Sequence, residues 1–144
     1  MLLDKFRITH STLIEHYQYI EAHLEGIYAT VAGKSFHEGI KEVEKDSLSG
    51  VVREIKEIER ERGIRVFSQE EYAQLRQIIE RRNFWCHCCY FEMAFDQKTG
   101  GPAKVQDEYQ LAQDMQTAEK WREYLFNKKV ALMKQKERGK QSGI

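Results

Sequence analysis

The longest pattern of apolar positions lies in the first third of the chain. Apolar residues recur there at alternating spacings of three and four, which places their side chains on one face of an α-helix. Gly33 follows this stripe and is a typical helix stop. We therefore predict a long amphipathic first helix whose buried face consists of Leu13, Tyr17, Ile20, Leu24, Ile27 and Val31.

A charged stretch, residues 38–46, separates this helix from a second, shorter apolar stripe. Ser47 or Ser49 is suited to cap a helix start here, because a serine hydroxyl accepts from the unpaired backbone N–H groups of a first turn. Gly63 is suited to end the helix. The buried positions of this predicted second helix are Val51, Ile55 and Ile58.

The third predicted helix has the clearest start signal. Ser68 and Glu71 have the spacing of a capping box, in which each side chain bonds the backbone of the other residue. Ile78, Trp85 and Phe91 widen the apolar surface that follows. The residues that recur at helical spacing in this predicted helix are Tyr72, Leu75, Ile79, Cys86, Cys89 and Met93.

The last third of the chain predicts a loop, a fourth helix and a tail. The loop spans residues 96–102 and contains two glycines beside the single proline. Together the patterns predict an all-α fold, an antiparallel helical bundle of four to five helices. We expect one domain over residues 1–133 and a basic, disordered tail over 134–144. The apolar positions of the fourth helix are Leu111, Met115, Ala118, Trp121 and Leu125.

Composition narrows the classes of function. The 144 residues include 23 Lys and Arg against 23 Asp and Glu, so the chain has no net charge that would attract a nucleic acid. Binding of a nucleic acid would therefore require a local basic patch. The first residues lack the apolar run of a signal peptide, and no stretch approaches the roughly 20 apolar residues of a membrane span. The three cysteines are clustered, which is a poor disulfide framework and is typical of a reducing compartment. We expect a cytoplasmic protein without membrane contact.

The segment around Arg82 combines residue types that are suited to cleave RNA. Arg82 is followed by the polar Asn83, and His87 stands five residues after the arginine. Histidine supplies a base or an acid near neutral pH. Arginine supplies a permanent cation whose fork matches phosphate oxygens. These groups suffice for cleavage without a metal, in which the 2′-hydroxyl of the RNA attacks the adjacent phosphorus.

This pattern resembles the Arg-x(4–6)-His signature of the HEPN domain family (higher eukaryotes and prokaryotes nucleotide-binding). The resemblance includes the polar residue after the arginine, the position near the end of a long third helix, and the preceding helix SLSGVVREIKE. It implies a helical bundle that acts as a metal-independent endoribonuclease in a toxin–antitoxin or phage-defence setting. It also implies a homodimer in which a twofold axis brings two such helices, and two histidines, to one groove.

The resemblance assigns roles to residues of this segment. It makes Arg82, Asn83 and His87 catalytic, with Arg81 and Tyr90 as further RNA-binding candidates, and it implies no cofactor and no metal. The expected partners are RNA, a second copy of the chain bound through the third helix, and an antitoxin protein. In one branch of the family, a tyrosine two positions after the histidine is modified by a partner nucleotidyltransferase. A cysteine occupies that position here, which departs from the pattern.

Other interpretations stay open at this point. A HEPN-like dimer without catalysis would bind a nucleotide, RNA or a protein partner. A plain structural bundle would use Cys86 and Cys89 as a thiol or metal cluster, although consecutive helical residues point in different directions, which favours buried cysteines. The basic residues between 120 and 140 are either a phosphate-attracting strip or a solvated helix end. His16 and His23 lie two turns apart, and we expect them to be partly exposed.

Trp85 has a specific role in the expected dimer. The aromatic and cysteine-rich surface around it is expected to supply the apolar area that two copies bury, more than about 1,200 Å² in total.

Overall fold

The computed structural model describes residues 2–88, 98 and 105–141. Within them the chain forms helices that pack against one another, and no strand occurs in these ranges. A π-helical turn, Phe84–Cys88, continues directly from the fourth helix. The predicted all-α helical bundle is confirmed. Its helices are α1 (Leu2–Val31), α2 (Phe36–Val43), α3 (Leu48–Arg62), α4 (Gln69–Asn83) and α5 (Val105–Gln141).

The two longest helices, α1 and α5, lie side by side and run in the same direction. His16 contacts Arg122 and His23 contacts Lys129, and the two residues of each pair are 106 positions apart. Because this separation stays the same along both helices, the helices are parallel. Helix α4 runs antiparallel to α5, because the start of α4 contacts the later part of α5 and its end contacts the earlier part. The bundle therefore combines antiparallel neighbours with the parallel packing of α1 against α5.

The predicted apolar stripes form the core. All six positions of the first stripe are buried, and so are the three positions of the second. In the two later stripes Ile79 and Met115 are half-buried and pack against the core. The other described members of those stripes, apart from Cys86, are buried: Tyr72, Leu75, Leu111, Ala118, Trp121 and Leu125.

The predicted helix ends are also present. Of the two candidate serines, Ser47 caps α3 and accepts from the backbone N–H of Gly50 at 3.1 Å. Gly63 ends α3 at a φ of 65°, a left-handed conformation that favours glycine. The capping box of α4 is complete, since Ser68 Oγ accepts from Glu71 N at 3.1 Å and Glu71 Oε1 accepts from Ser68 N at 2.9 Å.

The short helix α2 was not predicted. Its only buried residues are Gly39 and Val43, a stripe too short to stand out from the charged residues around it. Ser35 caps it and accepts from Glu38 N at 3.2 Å. Helix α2 packs closely on α1, because a Cβ at Gly39 would lie 2.2 Å from the Cβ of Ala29. Glycine is therefore required at this crossing.

Helix α5 is longer than the sequence pattern indicated. It continues to Gln141 and so includes residues 134–141, which the sequence assigned to a disordered tail. Lys136 Nζ donates to the carbonyl of Lys34 at 3.1 Å, which connects this extension to the loop after α1. The predicted third helix beyond Cys88, and the predicted loop apart from Lys98, lie outside the described residues. None of the described helices has both the length and the hydrophobicity needed to cross a membrane.

The expectation that His23 is partly exposed is wrong. The side chain is buried between α1 and α5, and its Nδ1 lies 3.1 Å from the ammonium of Lys129. Burial, with the charges of Lys129 and Arg122, lowers the pKa of His23 to about 4. The imidazole is therefore neutral at pH 7, and Nδ1 accepts the hydrogen bond from Lys129.

We expect the lowered pKa of His23 to make the fold less stable in mild acid. The unfolded chain takes up a proton near the ordinary histidine pKa of about 6.5, whereas the folded chain does so only near 4. The contribution of neutral His23 to the free energy of unfolding is therefore fully present above pH 6.5 and is lost as the pH falls toward 4. The free energy of unfolding, measured with urea, should be about 1–2 kcal/mol lower at pH 5 than at pH 7 because of this residue. The loss should be smaller in His23→Gln and unchanged in His37→Gln, where the histidine is exposed; equal losses in all three proteins would contradict the assignment.

Candidate functional site

The candidate site lies where α4 ends and the π-helical turn begins. Arg82 and Asn83 occupy the last turn of α4, and His87 lies in the π-helical turn. Between them Trp85 is only 1% exposed and faces the core. A π-helical turn is rare and occurs frequently at functional sites. The polar residues are therefore carried by an irregular helix segment that a buried indole holds in place.

Trp85 is held at its ring and at its backbone. Its indole Nε1 donates to Asp114 Oδ2 on α5 at 2.6 Å. Its carbonyl oxygen lies 2.8 Å from His10 Nε2 on α1. Because a carbonyl only accepts, His10 Nε2 carries the hydrogen of this bond. The π-helical turn is thus fixed to both long helices of the bundle.

Arg81 is partly exposed and is bound by partners within the chain. Its Nε donates to Asp114 Oδ2 at 2.8 Å, and its guanidinium lies 4.8 Å from the ring centre of Phe84. Asp114 is 8% exposed and also accepts from Gln110 at 2.9 Å through its other oxygen. Asp114 therefore joins Arg81 and Trp85 to α5, and the charge of Arg81 is balanced within the chain.

These residues border an open cleft of about 460 Å³ between α1, α4 and α5. Arg81, Asp114 and the hydroxyl-bearing Tyr17 line it. Burial, followed by the nearby carboxylate of Asp114, raises the pKa of Tyr17. Tyr17 therefore stays protonated at neutral pH and presents a hydroxyl, not a phenolate, to the cleft.

Arg82 is partly exposed, and its partners within the chain lie farther away than the partner of Arg81. Its side chain is 25% exposed, and its guanidinium lies 3.5 Å from Glu21 on α1 and 3.3 Å from the side-chain oxygen of Asn83. Partly exposed ion pairs of this kind contribute only about 0–1 kcal/mol. A phosphate that approaches Arg82 therefore competes with a weak internal partner, and Asn83, which is exposed, stands beside it.

His87 is exposed at the surface of the π-helical turn. In an α-helix, residues five apart differ by about 140° in direction. A π-helical turn is closed by bonds from residue i to residue i+5, so residues five apart lie nearer to one face than they do in an α-helix. The turn between Arg82 and His87 thus reduces the angular separation that a regular helix would impose on them.

The cysteine cluster is described in part. Cys86 is exposed, which overturns the expectation that it packs inside a helix interface. Trp85 takes the buried position at this level of the helix, and the adjacent Cys86 is left at its edge. The side chain of Cys88 and all of Cys89 and Tyr90 lie outside the described residues. In the described part of the chain, no group of three or more His, Cys, Asp or Glu side chains is arranged to hold a metal ion.

The burial of Trp85 also corrects its expected role in a dimer. An indole that is 1% exposed inside a single chain has almost no surface left to bury against a second copy. Its N–H requires an acceptor once it is removed from water, and Asp114 of the same chain supplies one.

Sequence reasoning missed the residues that hold the site in place. Asp114 carries a recognisable signal, because it interrupts the apolar stripe between Leu111 and Ala118, where a carboxylate requires buried partners. His10 and Glu21 carry no such signal. Their partners are a backbone carbonyl and a residue 61 positions away, respectively.

At the end of α4, Asn83 and His87 are exposed and Arg82 is partly exposed, while Trp85 is buried and Arg81 is bound to Asp114. The combination provides a cation and an exposed imidazole on a segment fixed to α1 and α5. Comparison with models of known protein families, with curated proteins and with solved structures finds no match to this chain.

Proposed function

We propose that this chain is a metal-independent endoribonuclease of the HEPN type, acting in a toxin–antitoxin or phage-defence setting. The observation that carries the proposal is the accessibility of Arg82 and His87 on a π-helical junction that Trp85 fixes to the core. The motif and its accessibility support the same assignment.

In the proposed reaction, His87 removes the proton of the RNA 2′-hydroxyl as that oxygen attacks the adjacent phosphorus. The bond from phosphorus to the 5′-oxygen breaks, and the leaving oxygen takes up a proton from an acid. Arg82 binds the non-bridging oxygens, where negative charge grows in the transition state. Asn83 orients Arg82 through its side-chain oxygen. The products are a 2′,3′-cyclic phosphate and a 5′-hydroxyl.

The proposal includes a homodimer. One His87 supplies a base or an acid, whereas the reaction uses both, and a twofold axis supplies the second imidazole. Because Trp85 is internal, the interface would be built from exposed side chains of α4 and the π-helical turn. An antitoxin that covers this surface would silence the enzyme.

A binding module without catalysis is the second candidate, and Glu21 favours it. Its carboxylate lies 3.5 Å from Arg82 and balances the charge that the phosphate would need. In that case the chain would hold a nucleotide, RNA or a protein partner without cleaving it. Glu21→Gln separates the two candidates. If the chain is an enzyme, this change should raise the rate of RNA cleavage; if it is a binding module, the variant should not cleave RNA.

The mechanism makes a clear prediction about the substrate and metals. Purified protein should cleave RNA in the presence of EDTA, because the reaction needs only the 2′-hydroxyl, an imidazole and a guanidinium. The same oligonucleotide with a 2′-deoxy or 2′-methoxy group at the cut site should stay intact. Mass spectrometry should identify the 2′,3′-cyclic phosphate. Loss of activity in EDTA that magnesium restores would rule out this mechanism.

A further inference from the structure

A second polar groove lies between α1 and α5, away from Arg82. We call it the α1–α5 groove and define it by His16, Tyr19, His23, Arg122 and Phe126. Its volume is about 490 Å³, within the usual range of about 300–1,000 Å³ for small-molecule sites. Lys129 extends it by one turn, through its contact with His23.

The two cations of this groove face imidazoles. Arg122 Nη1 lies 3.2 Å from His16 Nδ1, and Lys129 Nζ lies 3.1 Å from His23 Nδ1. Within residues 2–88 and 105–141, no carboxylate oxygen lies within 4 Å of either cation. A neutral imidazole accepts a hydrogen bond without cancelling the charge. Arg122 and Lys129 are therefore positioned by imidazoles and form no ion pair in these ranges, although Glu119 and Glu123 line the same groove.

Two exposed aromatic rings border these cations. Tyr19 is 43% exposed and Phe126 is 47% exposed, although apolar rings of this size are normally buried. The guanidinium of Arg122 lies 3.6 Å from the ring centre of Tyr19. The ammonium of Lys129 lies 5.4 Å from the ring centre of Phe126. The groove thus places two exposed aromatic rings beside two positive charges, and Arg122 covers one face of the Tyr19 ring.

The groove is separate from the candidate ribonuclease site. At 100° per residue, His16 and His23 lie about 140–160° around α1 from Glu21, the neighbour of Arg82. A ligand in the groove therefore does not contact Arg82 of the same chain. Any function of the groove goes beyond the cleavage chemistry proposed above.

We propose that the α1–α5 groove binds a nucleoside monophosphate unit, with its phosphate between Arg122 and Lys129 and its base against Tyr19 or Phe126. The cations lie seven residues apart on α5, about 10.5 Å along the helix axis, which leaves room for one phosphate between two flexible side chains. Base stacking on aromatic rings beside basic residues is a general mode of nucleotide recognition. Glu119 and Glu123 at the rim repel additional negative charge, which favours a monophosphate over a triphosphate.

The experiment titrates the full chain with adenosine monophosphate and with ribose 5-phosphate by calorimetry. Adenosine monophosphate should bind more tightly, because only it carries a base. Arg122→Gln with Lys129→Gln should raise its Kd at least about tenfold, as expected for the loss of charge-assisted bonds. The control is Lys134→Gln with Arg138→Gln, which removes the same charge from exposed positions of α5 and should leave the Kd unchanged.

Two further variants keep the proposal falsifiable if the double variant fails to fold. Glu119→Gln with Glu123→Gln should tighten binding, and Tyr19→Leu with Phe126→Leu should abolish the preference for the ligand with a base. If a 2′-methoxy RNA oligonucleotide binds more tightly than adenosine monophosphate, the natural ligand of the groove is a nucleotide within an RNA strand. If adenosine monophosphate binds more tightly, the natural ligand is a free nucleotide. Absence of binding by the wild type at millimolar ligand, or equal weakening in the groove and control variants, would overturn the proposal.

Discussion

His87→Ala is expected to lower the rate of RNA cleavage by about 10²–10⁴-fold, the usual contribution of a general acid or base. The imidazole is exposed on the π-helical turn, so its removal leaves no cavity in the core and the protein stays folded. The rate is measured in single-turnover cleavage of a labelled oligonucleotide, and folding by circular dichroism. His37→Ala is the matched control, since it removes an exposed histidine from α2.

Arg82→Ala is expected to cause a loss of similar size, because it removes the cation that meets the developing charge on the phosphate oxygens. Arg82→Lys should restore only part of the rate, since lysine lacks the planar fork. Arg76→Ala, at an exposed position of the same helix, is the control and should cleave normally. Cleavage at the wild-type rate by either His87→Ala or Arg82→Ala would refute the catalytic assignment and favour the binding module.

Asp114→Ala is expected to lower the free energy of unfolding by about 2–4 kcal/mol. Asp114 is buried and accepts from both Trp85 and Arg81, so its removal leaves an indole N–H and a guanidinium without their acceptor. The energy is measured by urea unfolding at pH 7. Glu123→Ala removes an exposed carboxylate from the same helix and should change stability by less than about 0.5 kcal/mol.

A double-mutant cycle separates the Trp85 bond from other effects at this site. Trp85→Phe removes the indole donor, and Asp114→Ala removes its acceptor. If the two side chains interact as the structure describes, the double variant loses less stability than the sum of the single variants. Strict additivity would show that Asp114 stabilises the fold through other partners.

Spacing along the chain was enough to predict most of the core and the described helices other than α2. Apolar spacing located the buried faces of α1 and α3, because a side chain repeats its direction about every 3.6 residues. The ends of α3 and α4 were equally readable, since Gly63 and the pair Ser68 and Glu71 act on backbone groups only a few residues away. Helix α2 escaped this reasoning because it buries only Gly39 and Val43.

For the candidate site, the residue types and their spacing follow from the sequence, whereas their partners and burial depend on how the helices pack. Arg81 and Arg82 are adjacent in the sequence, yet Asp114 of α5 binds the first at 2.8 Å, and the second has only Glu21 of α1 at 3.5 Å. Likewise, Trp85 and Cys86 share the apolar pattern, but only Trp85 is buried. Neighbouring residues on a helix point in different directions, and which direction is covered depends on the helices packed there.

The α1–α5 groove depends entirely on tertiary structure. His16 and Arg122, like His23 and Lys129, are 106 positions apart, and neither residue of a pair specifies the other through local spacing. They meet because α1 and α5 pack side by side in the same direction at a fixed offset. Sequence periodicity gives the buried face of each helix, since that face repeats along one segment. The choice of neighbouring helix, its direction and its register follow from packing the whole bundle, and they decide which charges are compensated.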